Sequence, residues 1–145
     1  RLLTVHAMAP HWLSRRLIPS MRARPRGDIV MISSVATLKM GANGAPYNMA
    51  KAAMEALALT LAKEERGHGT HVNIVAPGLV ETDALQFFSS LKDNQVIPRA
   101  VANTPAGRLA TPEDVAGVVA FLCSPEAAFI TGSAYDIDGG TTRLR

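Results

Sequence analysis

The amino-acid sequence predicts an α/β fold, with a mostly parallel sheet covered by helices. Two apolar runs of strand length, residues 28–33 and 71–76, flank a long segment with apolar residues at helical spacing, residues 47–66. The connections between these segments are short. A strand, a helix and a second strand in this order form a crossover unit, and the two strands of such a unit pair in parallel.

The first element is predicted to be a helical region over residues 2–24. Pro10 and Pro19 are expected to break or kink this region, because proline cannot donate the helical hydrogen bond. A turn at residues 25–27 then leads into the first strand. Five apolar residues keep roughly helical spacing along the region: Leu2, Val5, Leu13, Leu17 and Met21.

The segment between the first strand and the long helix, residues 34–45, holds two glycines and is predicted to be a loop. Pro46 suits the first turn of the long helix, where a backbone N–H has no helical partner. Gly67 and Gly69 are expected to end that helix. The second strand follows at once.

The remaining elements are two helices and a strand. Residues 84–91 are predicted to form a short helix. Thr111 is expected to cap a second one, with Pro112 at its first position and Asp114 three residues after the cap. A last strand covers residues 134–138. With 48% hydrophobic residues, the 145 residues are expected to belong to one domain.

The charge pattern gives little support for a nucleic-acid partner. The formal net charge is +3, and five arginines lie within residues 15–26. Such a cluster is typical of the solvated face and end of a helix. A phosphate or nucleic-acid patch is the alternative, but the cluster lacks the interleaved aromatic residues that favour binding of single strands. We therefore expect no nucleic-acid partner.

The composition favours a cytoplasmic protein without a metal site. Cys123 stands alone, which suits a reducing compartment, and we expect it to be a small core residue. No apolar run approaches the ~20 residues of a membrane span, and no signal-peptide pattern is present. We expect no membrane partner. The four histidines lack metal-ligand spacing with acidic residues: His6, His11, His68 and His71.

Three polar side chains are predicted to meet at the carboxyl end of the sheet. Tyr47 and Lys51 are four residues apart, which puts them one turn apart on the same face of a helix. Ser34 follows the first strand, and Pro77-Gly78 ends the second strand at the same edge. This edge is where open α/β sheets bind their ligands.

The chemistry of these side chains suits proton transfer. A free phenol has a pKa of ~10 and is a poor base near neutrality. A neighbouring ammonium group stabilises the phenolate form, and a serine hydroxyl can hold a substrate oxygen against the phenol. The set therefore suits chemistry at a C–OH or C=O centre. A hydride partner is still needed.

These residues belong to a longer pattern. Ser34 precedes the Tyr-Asn-Met-Ala-Lys segment at 47–51 by thirteen positions. The pattern continues in the same order with five further segments: residues 72–83 (VNIVAPGLVETD), Gly107-Arg108-Leu109, residues 111–116 (TPEDVA), Phe121-Leu122 and residues 132–140. The chain closely resembles the short-chain dehydrogenases/reductases over nearly all of its length. This resemblance implies a Rossmann-type, doubly wound, mostly parallel sheet with helices on both faces.

The resemblance also implies site residues, all of them expectations. Tyr47 corresponds to the catalytic acid/base, which also contacts the cofactor, and Ser34 to the catalytic residue that orients the substrate oxygen. Lys51 corresponds to the catalytic residue that lowers the pKa of the tyrosine and binds the ribose of NAD or NADP. Asn73 matches a structural asparagine, and residues 83–105 match a variable substrate lid. Four residues match the segment that contacts the nicotinamide: Pro77, Gly78, Val80 and Thr82.

The front half of the family pattern is absent from this sequence, including the glycine-rich phosphate turn. The family's catalytic asparagine would fall at or just before Arg1. We therefore expect residues 1–145 to be the C-terminal portion of a single NAD(P)-binding domain of Rossmann type. As an isolated fragment, this portion is expected to bind dinucleotide poorly and to be inactive.

The expected function is that of an oxidoreductase, which moves a hydride between NAD(P)(H) and a secondary alcohol or ketone. Residues 82–85 and 103–108 resemble family members that act on acyl-carrier-protein thioesters, which suggests a 3-oxoacyl thioester or another small molecule. One alternative is an enoyl-thioester reductase, but that type has a tyrosine seven positions before its lysine, where this chain has Gly44. Another is a non-catalytic dinucleotide-binding fragment.

The resemblance further implies a homodimer or homotetramer. The family usually assembles through the helix before the Ser34 strand and the helix that carries Tyr47. Small residues on the latter would permit close helix approach: Ala50, Ala53, Ala56 and Ala58.

Overall fold

A parallel sheet of three strands forms the centre of the computed structural model, which describes residues 1–92 and 95–143. The strands are β1 (Gly27–Ile32), β2 (Thr70–Pro77) and β3 (Ala134–Ile137), in the spatial order β1-β2-β3. Strand β2 is central and pairs in parallel with both neighbours. The predicted parallel sheet is confirmed.

Helices connect the strands. A π-helical stretch, Thr4–Met8, leads into the first α-helix, and a 3-10 turn, Pro125–Ala127, follows the last. The α-helices are α1 (Ala9–Met21), α2 (Ala36–Lys39), α3 (Ala45–Glu65), α4 (Asp83–Lys92), α5 (Val96–Ala102) and α6 (Pro112–Leu122).

Helices cover both faces of the sheet. On one face, Ile18 of α1 and Met54 and Leu61 of α3 form an apolar cluster with Val72 and Ile74 of β2. On the other, α6 and the 3-10 turn form a second cluster, which is built on Val75, Leu122 and Ala127. Burial on both sides explains why β2 carries consecutive apolar residues from Ile74 to Pro77. The fold class predicted from the sequence is confirmed.

The first helical region differs from its prediction. Helix α1 continues through Pro19 to Met21, and Pro10 lies in its first turn. The expected apolar stripe is mostly in solvent, while Ser14 and Ile18 are buried. Within α1, the buried positions Ser14 and Ile18 each lie one residue after an exposed leucine, so the face that packs against the sheet is not the most apolar face of the helix. The exposed members of the stripe are Leu2, Val5, Leu13 and Leu17.

Part of the predicted loop after β1 is helical. Helix α2 begins two residues after Ser34, whose Oγ accepts a hydrogen bond of 3.2 Å from the backbone N–H of Ala36. Met40 ends α2 in a left-handed conformation, with φ of 46°. Helix α5 was not predicted either. Both helices are short, so they leave little periodic signal in the sequence.

The predicted start of α6 is confirmed. The Thr111 side chain accepts a hydrogen bond from the Asp114 N–H at 3.3 Å, and Asp114 accepts one from the Thr111 N–H at 2.7 Å. The Asp114 carboxylate also accepts hydrogen bonds from Arg108, with a closest contact of 2.6 Å. These bonds, with that of Arg108 the largest cause, hold the pKa of Asp114 far below its usual range.

Two expectations about small residues need correction. Cys123 is exposed rather than in the core, because it follows the last turn of α6 and Leu122 takes the core position. Ala50 and Ala58 are buried within this chain, so they are not available for contact with a second copy.

Asn73 has a structural position, as its match to the family pattern implies. It is buried on β2, donates a hydrogen bond to the Ile130 carbonyl and accepts one from the Ser133 N–H. These bonds fix the segment that leads into β3.

Neither a membrane span nor a metal cluster is found in the described part of the chain. None of its helices is long and apolar enough to cross a membrane. No group of three or more His, Cys, Asp or Glu side chains there could hold a metal ion.

The arginine cluster runs from the middle of α1 to the segment before β1. Arg26 forms an ion pair of 2.9 Å with Asp28. Arg22 donates two hydrogen bonds, of 2.8 and 2.6 Å, to the carboxylate of Glu65, which is only 1% exposed. The Arg22 bond is the largest cause that lowers the pKa of Glu65, against the opposing effect of burial.

Replacing Arg22 by Met should therefore destabilise the protein in a pH-dependent way. A carboxylate whose pKa is lowered on folding stabilises the native state above its unfolded pKa of about 4.3, and this contribution is lost as the pH falls through the folded pKa. The loss of stability in Arg22→Met should be large at pH 7 and small at pH 3, as measured by urea unfolding. Arg24→Met is the matched control. An equal loss at both pH values would contradict this account.

Candidate active site

A cleft of about 900 Å³ opens at the carboxyl ends of the strands. Ser34, Tyr47 and Gly78 line it, together with residues from α5 and from the segments around 108 and 138. Ser34 follows β1, Gly78 follows β2, and Tyr47 lies in the first turns of α3. The topology thus brings together three of the residues that the sequence singles out.

Lys51 lies behind Tyr47 and is buried. Its Nζ donates a hydrogen bond of 2.7 Å to the Ile32 carbonyl and is 5.8 Å from the centre of the Tyr47 ring. Burial lowers the pKa of Lys51, and the negative charge of Glu55 partly opposes this effect. The ammonium group is therefore fixed between the end of β1 and the phenol ring.

Ser34 lies between two residues that are tied to β2. The Ser33 N–H donates to the Val75 carbonyl at 2.7 Å, and the Val35 N–H donates to the Pro77 carbonyl at 3.1 Å. The sheet hydrogen bonding thus continues for a few residues beyond β1. It holds the half-buried Ser34 at the floor of the cleft.

Tyr47 is half-buried, with its ring against His6 of the π-helical stretch. The two rings meet edge to face, with centres 5.8 Å apart and planes at 85°. Burial lowers the pKa of His6, and the positive charge of Lys51 lowers it further. Residue spacing could not predict this contact, because His6 and Tyr47 are far apart in the chain.

Gly78 allows the ends of β2 and β3 to approach closely. Its N–H donates to the Ile137 carbonyl at 2.9 Å, and a Cβ on Gly78 would lie 3.1 Å from the Asp138 backbone. A side chain would crowd this contact at the wall of the cleft.

The other residues of the predicted nicotinamide segment do not line the cleft. Pro77 is buried at the end of β2. Val80 forms a parallel bridge with Ala110, and the Thr82 hydroxyl accepts a hydrogen bond from the Leu85 N–H at 3.2 Å in the first turn of α4. Lys51 also lies outside the lining and reaches the site from behind Tyr47.

Several polar residues of the cleft were missed by the sequence reasoning. The Asp138 carboxylate accepts hydrogen bonds from its own turn, from the N–H groups of Gly140 and Thr142 and from two hydroxyls. Burial raises the pKa of Asp138, but these hydrogen bonds outweigh it and the net shift is downward. The segments quoted for the family resemblance contain five of the missed residues, which was the available signal: Asn48, Asn103, Thr104, Arg108 and Asp138. The others are Lys39 and Thr141.

Comparison with known families gives a match over nearly the whole chain. Residues 1–142 match the family model that is described as enoyl-(acyl carrier protein) reductase. The human dehydrogenase/reductase SDR family member 4 is 34% identical over 141 residues, which are 97% of this chain and 50% of that protein.

A bacterial relative and a solved structure support the same family. The 3-oxoacyl-[acyl-carrier-protein] reductase FabG of Vibrio cholerae is 39% identical over 128 residues, 88% of this chain and 51% of that protein. L-sorbose reductase from Gluconobacter frateurii, solved with NADPH and L-sorbose, superimposes with a TM-score of 0.88 at 32% identity. The match covers 98% of this chain and 57% of that one.

The chain spans about half the length of the curated relatives it matches. Within that span, the family match, the sequence identity and the structural similarity agree. The chain belongs to the short-chain dehydrogenase/reductase family.

Proposed function

We propose that this chain carries the proton-transfer half of an oxidoreductase site, which moves a hydride between NAD(P)(H) and a secondary alcohol or ketone. The observation that carries the proposal is the shared cleft of Ser34 and Tyr47, with the buried Lys51 ammonium 5.8 Å from the tyrosine ring. A hydroxyl and a phenol that face one cavity can both contact a single substrate oxygen.

The residues present fit the ribose end of a dinucleotide. An ammonium group has three N–H donors, and the Ile32 carbonyl accepts only one from Lys51. The other two have no acceptor among the described residues, and we propose that they bind ribose hydroxyls. Gly78 lines the same cleft as Ser34 and Tyr47, and its lack of a side chain allows it to lie against Asp138. When bound, NAD(P)(H) supplies or accepts the hydride.

The chain's own residues would handle the proton and the substrate oxygen. Tyr47 would donate its proton to a ketone oxygen or remove the proton from an alcohol, as acid or base. The Lys51 ammonium stabilises negative charge on the phenol oxygen. Ser34 would hydrogen-bond to the same substrate oxygen and orient it. Four residues are proposed to contact the nicotinamide side: Pro77, Gly78, Val80 and Thr82.

A 3-oxoacyl thioester is the substrate class that we favour. The support is the identity with the Vibrio cholerae 3-oxoacyl reductase and the open cleft of about 900 Å³. Enoyl-thioester reduction is the alternative, which the description of the matching family model favours. Gly44 argues against it, because this residue lines the cleft where that enzyme type has its tyrosine. Direct assay of both thioesters would separate the two reactions.

We also propose that residues 1–145 are the C-terminal portion of a single Rossmann-type domain in a longer polypeptide. Relatives of about twice the length support this, and so does the lack of a glycine-rich phosphate turn. A cytoplasmic location stays a prediction.

A homodimer or homotetramer is proposed for the full-length protein. Its support is a set of exposed apolar side chains on α1 and α3, the helices through which the family usually assembles. Leu13 and Leu17 are one helical turn apart and share a face of α1, and exposed apolar patches mark association surfaces. The set includes Trp12, Leu13 and Leu17 on α1 and Met49 and Leu59 on α3.

Tyr47→Phe should lower turnover of the full-length protein by about 100-fold or more, because general acid–base catalysis contributes about 10²–10⁴-fold. Dinucleotide affinity should change by less than about threefold, since the ring and Lys51 remain. Tyr135 packs against the second apolar cluster, and Tyr135→Phe is the matched control. Turnover that survives in Tyr47→Phe would remove Tyr47 from the mechanism.

The isolated 145-residue chain should bind NADPH at least about 100-fold more weakly than the full-length protein. Helix N-termini with glycine-rich turns supply the N–H donors that bind the pyrophosphate, and this chain contains no such turn. Isothermal titration of both proteins measures the difference, with circular dichroism to verify folding. Equal affinities would show that the chain binds dinucleotide without that turn.

The pKa of His6 should respond to removal of the positive charge of Lys51. Replacing Lys51 by Met removes one cause of the lowered pKa of His6, so this pKa should rise. The rise should stop short of the ordinary value, because burial is the larger cause. NMR titration of the imidazole ring measures it, with Lys39→Met as the matched control. An unchanged pKa in Lys51→Met would place the ammonium charge away from the Tyr47 pocket.

A further inference from the structure

Glu55 is a half-buried carboxylate on α3 that the mechanism described above does not use. It lies one helical turn after Lys51. Its Oε1 accepts hydrogen bonds from the hydroxyl groups of Ser33 and, at 2.9 Å, of Thr37. A carboxylate that is partly removed from water is costly unless it is hydrogen-bonded or paired. The two hydroxyls and the nearby Lys51 charge meet this need.

Ser33 and Thr37 lie on either side of Ser34. Ser33 precedes it directly and is buried, and Thr37 belongs to α2. The Thr37 hydroxyl is also 2.9 Å from the Ser34 carbonyl, which already accepts the Thr37 N–H at 3.1 Å. A hydroxyl has a single proton, and a bond to an ionised acceptor is stronger. We therefore assign this proton to Glu55.

Within residues 1–92 and 95–143, the Ser34 side chain forms no hydrogen bond to α3. Its Oγ accepts the Ala36 N–H at 3.2 Å, within the same turn. The backbone bonds of Ser33 and Val35 to β2 hold the turn against the sheet, and its distance from Tyr47 also depends on what attaches it to α3. Two side-chain hydrogen-bond attachments to α3 are found in the described residues: Lys51 to the Ile32 carbonyl at one end, and Glu55 to Ser33 and Thr37 around Ser34.

We propose that Glu55 is a positioning residue, which holds the turn that carries Ser34 against the helix that carries Tyr47 and Lys51. This inference rests on the function proposed above for those three side chains. Small displacements of catalytic groups can cost about 100-fold in rate. Loss of the Glu55 contacts should thus reduce turnover without removing any group that touches the substrate.

The decisive variant is the double substitution Ser33→Ala and Thr37→Val in the full-length protein. It removes both hydroxyl donors and leaves Glu55, Lys51 and Tyr47 unchanged. We expect kcat to fall about tenfold and the NADPH Kd to change by less than about twofold. Glu55→Gln should lower kcat as well. Adding it to the double variant should cost less than about twofold more, because the changes act on one contact. Glu64→Ala, an exposed glutamate on α3, is the matched control.

A second readout needs no substrate. The Ala36 N–H, which donates to Ser34 Oγ, should exchange with deuterium about tenfold faster in the double variant and in Glu55→Gln. The Gly140 N–H, bound to Asp138, should exchange at its original rate. If the unaltered protein has no NAD(P)-dependent turnover, the proposed function fails. In that case, hydrogen exchange of the Ala36 N–H alone tests whether Glu55 positions the turn that carries Ser34. Unchanged kcat in a folded double variant, or unchanged Ala36 exchange, overturns the role of Glu55.

Discussion

The hydrogen bond from the Lys51 ammonium to the Ile32 carbonyl fixes the geometry on which the rest of the site depends. Ile32 is the last residue of β1, and Lys51 is one helical turn from Tyr47. A buried ammonium group without a hydrogen-bond acceptor has a high free-energy cost, so loss of this hydrogen bond would destabilise the fold. It fixes the end of the strand against the start of the helix. The cleft between Ser34 and Tyr47 follows from that attachment.

Helix α3 carries three charged side chains that are largely removed from water, and each has a different partner. Lys51 reaches the end of β1, Glu55 reaches the turn after it, and Glu65 pairs with Arg22 at the end of α1. Ridges of alanine and leucine could pack in several neighbouring registers. Directional contacts at three points along the helix favour one of these registers. We infer that the polar contacts set the register of α3 on the sheet and that the apolar contacts stabilise its packing.

The sequence predicts what is local, and the structure adds what depends on tertiary contacts. The strands, α3 and the capped start of α6 were predictable, because their signals are short-range periodicity and one capping pattern. The buried face of α1, the exposure of Cys123 and the short α2 were not, since they depend on how elements meet. In the site, topology alone brings Ser34 to the edge where Tyr47 lies. Contacts such as that of His6 with Tyr47 leave no trace in residue spacing.

The π-helical stretch Thr4–Met8 affects how positions in this chain can be equated with those of its relatives. Each residue of an α-helix turns the chain by about 100°, and a π turn holds one residue more over the same length. Side chains before the stretch are thus rotated by about that angle relative to an uninterrupted helix. A relative with a regular helix here would align one residue out of phase. The place of the family's catalytic asparagine relative to Arg1 is therefore found by superimposing this chain on a relative and not by counting residues.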